Sequence, residues 1–321
     1  MIPTVPVAIH EMYTATTTSL SLLLNAALLI IIRKTQSVYI GRYAHLLSCF
    51  AVADILVAIV HIVLLPGIIL TNYGFFFFGF RCFGAPEWMG TTLTMVYALV
   101  FYESFLVLAF HYVYRFVSLC TTYTSLRPWR IVAVAMAVNA AGLFGFFQAF
   151  RLLIVTPSSR RLIAPVFLEL LDEDISNPPL GFFAAALREQ QPDGSETLTR
   201  AFAGAALTIA IFTTTALVIA YCVARIVREM RSSTIVHSVK TVRMQRQLFV
   251  ALVIQTAFPC VFSYVPVGIV IFTPMMHIGL GTASPSFTSV FSCDPSNENA
   301  TPTKNIEAAP VGSLSVALAA T

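Results

Sequence analysis

Residues 91–120 read TTLTMVYALVFYESFLVLAFHYVYRFVSLC. From Thr91 the stretch stays apolar for longer than the roughly 20 residues a helix needs to cross a bilayer. It closes on His111-Tyr112-Val113-Tyr114-Arg115-Phe116. An arginine set into the aromatic end of a membrane span is costly unless another group answers it. Arg115 therefore reads as a residue kept for function, and the surrounding chain shows which function its setting allows.

Charged residues make up 11% of the 321 residues and apolar residues 57%. A soluble domain is about a quarter charged, so a single soluble core could not absorb this chain, and the class is a polytopic membrane protein. No Lys or Arg precedes Arg33, so the basic region of a secretory signal is absent and the first span is expected to be retained. Membrane-length apolar runs fall at about 12–32, 44–70, 91–114, 131–150, 201–223 and 248–273, with a weaker run at 275–291 broken by Gly279, Gly281 and Pro285. Helix is the expected state of every span, because no alternating pattern of a membrane strand occurs. The fold class is thus an all-α membrane protein with a seven-helix bundle, its seventh helix short or defective. Residues 1–295 form the membrane domain and 296–321 a polar, disordered tail.

Basic residues set the orientation. Arg33, Lys34 and Arg42 follow the first span; Arg115, Arg127 and Arg130 follow the third. The link after the fifth carries Arg225, Arg228, Arg231, Lys240, Arg243 and Arg246. The positive-inside bias places these links in the cytoplasm and the amino terminus outside. Arg225 and Arg228 share a helix face, as do Arg243 and Arg246. They serve as membrane-side anchors and offer a cationic surface to a cytosolic partner. The long external loop from Arg151 to Arg200 holds Glu169, Asp172, Glu173 and Asp174. It reads as a solvated loop, with steering of a cationic ligand as the alternative.

Enzyme motifs such as HExxH, GxxxxGK, GxGxxG and GxSxG are absent, and the six histidines have no ligand spacing. No catalytic residue, metal site or cofactor is expected. Nucleic acid is not an expected partner, since the topology rule already explains the basic links. The remaining polar residues lie at membrane depth. Asp54 sits about 15 Å into the second span, and Glu103 about 18 Å up the third helix from Arg115 at 1.5 Å per residue. Both should face the bundle interior, as interhelical hydrogen bonds or as switch and ligand groups. Pro259 and Pro266 each remove a helical hydrogen bond and bend the sixth span. The bend suits either packing or a helix that swings. Cys49, Cys222 and Cys260 read as small buried thiols.

Four stretches carry a family resemblance. They are Asn25 within SLLLNAALLII, Tyr39-Ile40-Gly41-Arg42-Tyr43 followed by LLSCFAVADI, Phe110 to Phe116, and Met244 to Phe249 running on to Pro259 and Pro266. On these the chain resembles the nematode seven-transmembrane chemoreceptors of serpentine receptor class R, the Str family, over roughly Ser19 to Pro295. The resemblance implies a G-protein-coupled receptor at the plasma membrane of a sensory cilium that binds a small environmental molecule and activates a heterotrimeric G protein. It puts Arg115 where the arginine of the superfamily's D-R-Y motif stands, with Tyr114 in place of the acid and Phe116 following. An Arg–acid lock cannot form there. Arg115 should meet carbonyls or tyrosine at rest and the G protein when active. Switch and coupling residues on this reading are Tyr114, Arg115, Phe116, Asp54, Pro259, Pro266, Arg243 and Arg246. Depth alone nominates Tyr97, Phe101, Tyr102 and Glu103 for the ligand pocket, in a cavity among helices three, five and six. The family's last helix continues apolar after Asp-Pro, whereas here Asp294-Pro295 leads into SNENATPTKN. An external tail would make Asn299 a glycosylation acceptor. The rival functions are a small-solute transporter or channel, and a truncated receptor that does not signal but pairs with others in a receptor oligomer.

Overall fold

A computed structural model of the chain describes residues 7–34, 43–71, 74–82, 85–120, 128–154, 156–171, 183–190, 196–232, 249–250, 252–254, 256–257 and 260–276. Its elements run α1 (Val7–Lys34), α2 (Tyr43–Leu64), β1 (Pro66–Thr71), β2 (Gly74–Gly79), α3 (Glu87–Cys120), α4 (Pro128–Leu153), α5 (Pro157–Leu171), β3 (Phe183–Ala186), β4 (Arg188–Gln190), β5 (Glu196–Leu198), α6 (Arg200–Ser232) and α7 (Val265–Met275). Helices α1, α2, α3, α4 and α6 are each long and apolar enough to cross a membrane. They match the first five expected spans. Residues of the sixth lead through a π-helical turn, Cys260–Tyr264, into α7. The expected seventh span, apart from its first residues, and the tail with Asn299 lie outside the described residues.

Lipid explains which faces pack. On α1, Thr14, Thr18, Ser21 and Asn25 are buried, while Leu23, Ile30 and Ile31 are exposed. Small and polar residues make the seam and aliphatic ones face outward, because lipid tails are as apolar as leucine and reward no burial of it. Asn25 Nδ2 donates to the Ser21 carbonyl at 3.0 Å, so its amide is satisfied within its own helix. Helix α3 is the axis of the bundle: 56% of its membrane-length window is buried, against 6–22% in the other four. Gly204 lets α6 close on α4, since a Cβ there would stand 2.8 Å from the Ala149 carbonyl oxygen.

Several expectations are corrected. The second span ends as helix at Leu64, not Leu70. Leu65 adopts φ 48 and its N–H bonds the His61 carbonyl at 2.9 Å, which closes the helix; Pro66 then starts a strand. The third span extends in both directions, to Glu87–Cys120. The loop between α4 and α6 is not merely solvated chain. It holds α5, capped by Thr156, whose Oγ1 accepts from the Ser159 N–H at 3.2 Å, with Pro157 in the first helical position. It also holds β3, which adds to the β1–β2 hairpin as an antiparallel sheet in the order β1-β2-β3. Phe76, Phe78 and Phe167 are buried, and Phe78 meets Phe167 edge-on at 5.1 Å. The acidic residues Asp172 to Asp174 lie outside the described residues. Finally, Cys49 is exposed on the bundle's outer side and Cys260 is only half-buried, whereas Cys222 is buried.

Candidate functional site: an apolar cavity and the C-terminal end of α3

Beneath the three-stranded sheet lies a cavity of about 130 Å³. The sheet supplies Ile68, Phe75 and Phe77; α3 supplies Tyr97, Ala98 and Phe101. Phe146, Phe150 and Leu153 come from α4, Thr208 and Phe212 from α6, and Val267, Val270 and Ile271 from α7. Of these, Tyr97 and Thr208 alone carry a polar side-chain atom, and both hydroxyls are engaged outside the cavity. Thr208 Oγ1 donates to the Gly204 carbonyl at 2.9 Å, and the Tyr97 hydroxyl pairs with His61 Nδ1 at 3.1 Å. The wall is therefore aromatic and aliphatic carbon almost throughout. Such a site holds a small neutral molecule by shape and dispersion.

Below the cavity the aromatic rings continue. Tyr97 stacks on Phe77 at 5.5 Å and on Phe101 at 6.4 Å. Phe101 meets Tyr264 of the π turn edge-on at 5.4 Å, and Phe105 lies 4.3 Å from the same ring. Phe212 of α6 reaches Phe105, Tyr102 and Tyr264. A molecule pressing on Phe101 is thus one ring away from an irregular turn in the sixth span. Single π turns recur at functional sites in helices.

The structure divides the residues nominated by depth. Tyr97 and Phe101 line the cavity; Tyr102 and Glu103 do not. Tyr102 is buried and stacks on Phe146 at 4.5 Å. Glu103 turns to α4, where Asn139 is its polar neighbour. Asp54 faces Ser104 across the α2–α3 seam, also clear of the cavity. The expected contributions of the third, fifth and sixth spans are present as α3, α6 and α7, whereas those of the sheet and α4 went unread in the sequence. Their signal was the phenylalanine run 75–78 in a connecting segment and Phe146, Phe147 and Phe150 on α4.

At the C-terminal end of α3, successive residues reach different neighbours. The His111 ring bonds the main chain at Leu46 of α2. The Tyr112 hydroxyl lies 2.8 Å from Thr256 Oγ1 in the sixth span and donates toward the Leu252 carbonyl at 3.4 Å. Arg115 is buried, with 5% of its surface exposed, and Phe116 meets Tyr221 of α6 at 5.9 Å. Tyr114 is half-buried. Pro266 sits in the first turn of α7, just past the π turn, where its missing N–H costs least. Pro259, Arg243 and Arg246 lie outside the described residues.

A bundle of membrane-crossing helices around a buried central helix, with a partly open apolar cavity on one side and a buried arginine at the far end, defines a multi-pass membrane protein. The family model for the serpentine type seven-transmembrane GPCR chemoreceptor Str matches residues 10–299. The chain belongs to that family, a family of receptors of the G-protein-coupled type. It is similar to serpentine receptor class r-10 of Caenorhabditis briggsae, 25% identical over 265 residues that cover 82% of this chain and 77% of the relative. Its similarity to serpentine receptor class r-10 of Caenorhabditis elegans is again 25%, over 249 residues covering 77% of this chain and 73% of the relative.

Proposed function

We propose that this receptor binds a small, apolar environmental molecule in the cavity under the sheet and activates a heterotrimeric G protein at the opposite face. The observation that carries the reading is the cavity itself: its wall is carbon, its two hydroxyls are occupied, and its floor is the ring of Phe101 against Tyr264. A dry cavity of about 150 Å³ holds benzene, so the occupant of this slightly smaller one has about six heavy atoms. At roughly 1 kcal/mol per atom, the binding free energy is about −6 kcal/mol and the dissociation constant on the order of 40 μM. Weak, fast-reversing binding suits a sensor of changing concentration.

At rest, Tyr112 holds the sixth span to α3 while Arg115 stays covered. In place of a lock between arginine and an acid, this receptor uses a tyrosine hydroxyl two helical positions from Tyr114. Occupation of the cavity displaces the Tyr264 ring, the sixth span swings, and Arg115 becomes available to the G protein together with Arg243 and Arg246 on the basic link. The amino terminus faces outside at the plasma membrane, in a sensory cilium, with residues 1–295 as the receptor domain and 296–321 as its tail.

The test is expression with a G-protein reporter and a panel of small volatile compounds. Ala98→Phe fills the cavity and should abolish the response with surface delivery unchanged. Arg115→Ala should abolish signalling while leaving ligand binding in place. Full signalling from either variant overturns the corresponding half of the proposal.

A further inference from the structure

One of the two polar groups in the cavity wall is paired with a residue that does not line it. His61 lies on α2, outside the ring of lining side chains, yet its Nδ1 is 3.1 Å from the hydroxyl of Tyr97, which does line the cavity. The two rings sit tilted at 52° with centroids 5.6 Å apart. Tyr97 is held flat between Phe77 and Phe101, so its ring faces are fixed by stacking and its hydroxyl by the histidine. The other polar lining group, Thr208, is bonded back to its own helix.

We infer that His61 is a specificity-determining residue of the ligand site, acting by positioning the Tyr97 hydroxyl away from the cavity so that the site accepts hydrocarbon-like ligands and disfavours oxygenated ones of equal size. The physical basis is the asymmetry of hydrogen bonding. A hydroxyl already paired gains little from a polar ligand, which must itself give up water to enter a carbon-walled space. Remove the histidine's nitrogen and the same hydroxyl is a buried group without a partner. It then rewards the ligand that supplies one, as sites built around an unpaired polar group discriminate steeply. His61 thus sets the chemical class of the ligand from behind the wall.

This inference rests on the cavity being the ligand site, and the experiment keeps the two apart. The full-length receptor in lipid nanodiscs is titrated with toluene and with phenol, which are close in shape and differ in the hydroxyl, with binding followed by ligand-detected NMR. Wild-type protein should prefer toluene by about tenfold or more. His61→Phe should move the toluene-to-phenol ratio by about tenfold toward phenol, and His61→Gln, which keeps a hydrogen-bonding atom near the hydroxyl, should restore much of the original ratio. In a Tyr97→Phe background, His61→Phe should leave the ratio unchanged, since there is no hydroxyl to release; a merely structural histidine would shift both backgrounds alike. An unchanged ratio in His61→Phe, or an equal shift in both backgrounds, overturns the inference. Should Ala98→Phe leave toluene binding intact, the cavity reading fails as well; should it abolish binding while the ratio ignores His61, only the present inference falls.

Discussion

Tyr112 and Cys82 show how much a single side chain's surroundings decide in this receptor. The Tyr112 hydroxyl is buried and shared with Thr256 and Leu252, 140 residues or more away in the chain. Thr256 in turn donates to Leu252 at 2.7 Å, so the three groups form one knot at the α3–sixth-span seam. Interhelical hydrogen bonds in membranes contribute about 0.6 kcal/mol on average and rarely more than about 1.7. That is small against folding but large against a switch whose states differ by a few kcal/mol. Cys82, just past the β1–β2 hairpin, is 1% exposed, and burial pushes its thiol up from the ordinary range. A raised thiol pKa favours the protonated form, so the reactive thiolate is scarcer at neutral pH and appears only at more alkaline pH than for a free cysteine. In native membranes at pH 7, maleimide should label Cys82 at least about tenfold more slowly than a cysteine placed at the exposed Trp88, and detergent denaturation should abolish the difference. Mass spectrometry of the Cys82 peptide checks this; equal rates would show the sheet to be open rather than packed.

Between elements, backbone approach matters more than side-chain chemistry. Gly204 and Gly268 are both helical glycines in the bundle, but their surroundings differ. A Cβ at Gly204 would meet the Ala149 carbonyl at 2.8 Å and Leu152 Cβ at 2.9 Å, whereas at Gly268 it would meet nothing within 4 Å. Gly204→Ala should therefore force α4 and α6 apart and cost about 1–3 kcal/mol, while Gly268→Ala should be neutral or gain up to about 1 kcal/mol from helix propensity. Thermal unfolding of the two variants in the same detergent gives the comparison, and a Gly204 variant as stable as wild type would mean that the helices are not packed this closely. The same contrast separates what the sequence revealed from what it hid. Spans α1 to α4 and α6 were legible because lipid demands about 20 apolar residues per crossing, and Asn25, Asp54 and Glu103 stood out against that background. The sheet was hidden because Pro66 to Leu70 continues the apolar run of α2 without a break in composition. Only Pro66, which disfavours helix in the residue before it, marked the place where Leu65 turns the chain. Depth nominated Tyr97 and Phe101, which line the cavity, but depth is blind to helix rotation: Tyr102 and Glu103 lie at similar height and point at Phe146 and Asn139 instead.

Across the whole molecule, the proposed switch joins the cavity to the Tyr112 knot, and thermodynamic linkage lets that coupling be measured without seeing it move. The sixth span touches both: Tyr264 packs under the cavity against Phe101 and Phe105, and Thr256 binds Tyr112. If ligand binding favours the swung state, weakening the knot favours it too, and each must raise the effect of the other by the same factor. Tyr112→Phe keeps the ring and removes the hydroxyl, so it should raise ligand-independent signalling by roughly threefold, and by at most about twentyfold, as 0.6–1.7 kcal/mol converts at room temperature. The same variant should tighten agonist binding by a factor no larger than the rise in the active population, because affinity gained through a population shift is limited to the fraction of protein that was previously unavailable. Basal reporter output and agonist titration on one set of cells give both factors. A rise in basal signalling without any gain in affinity would mean that the knot restrains the G-protein face but not the cavity, and the two ends would then have to be joined through α6, whose Phe212 also touches Tyr264, instead of through the sixth span.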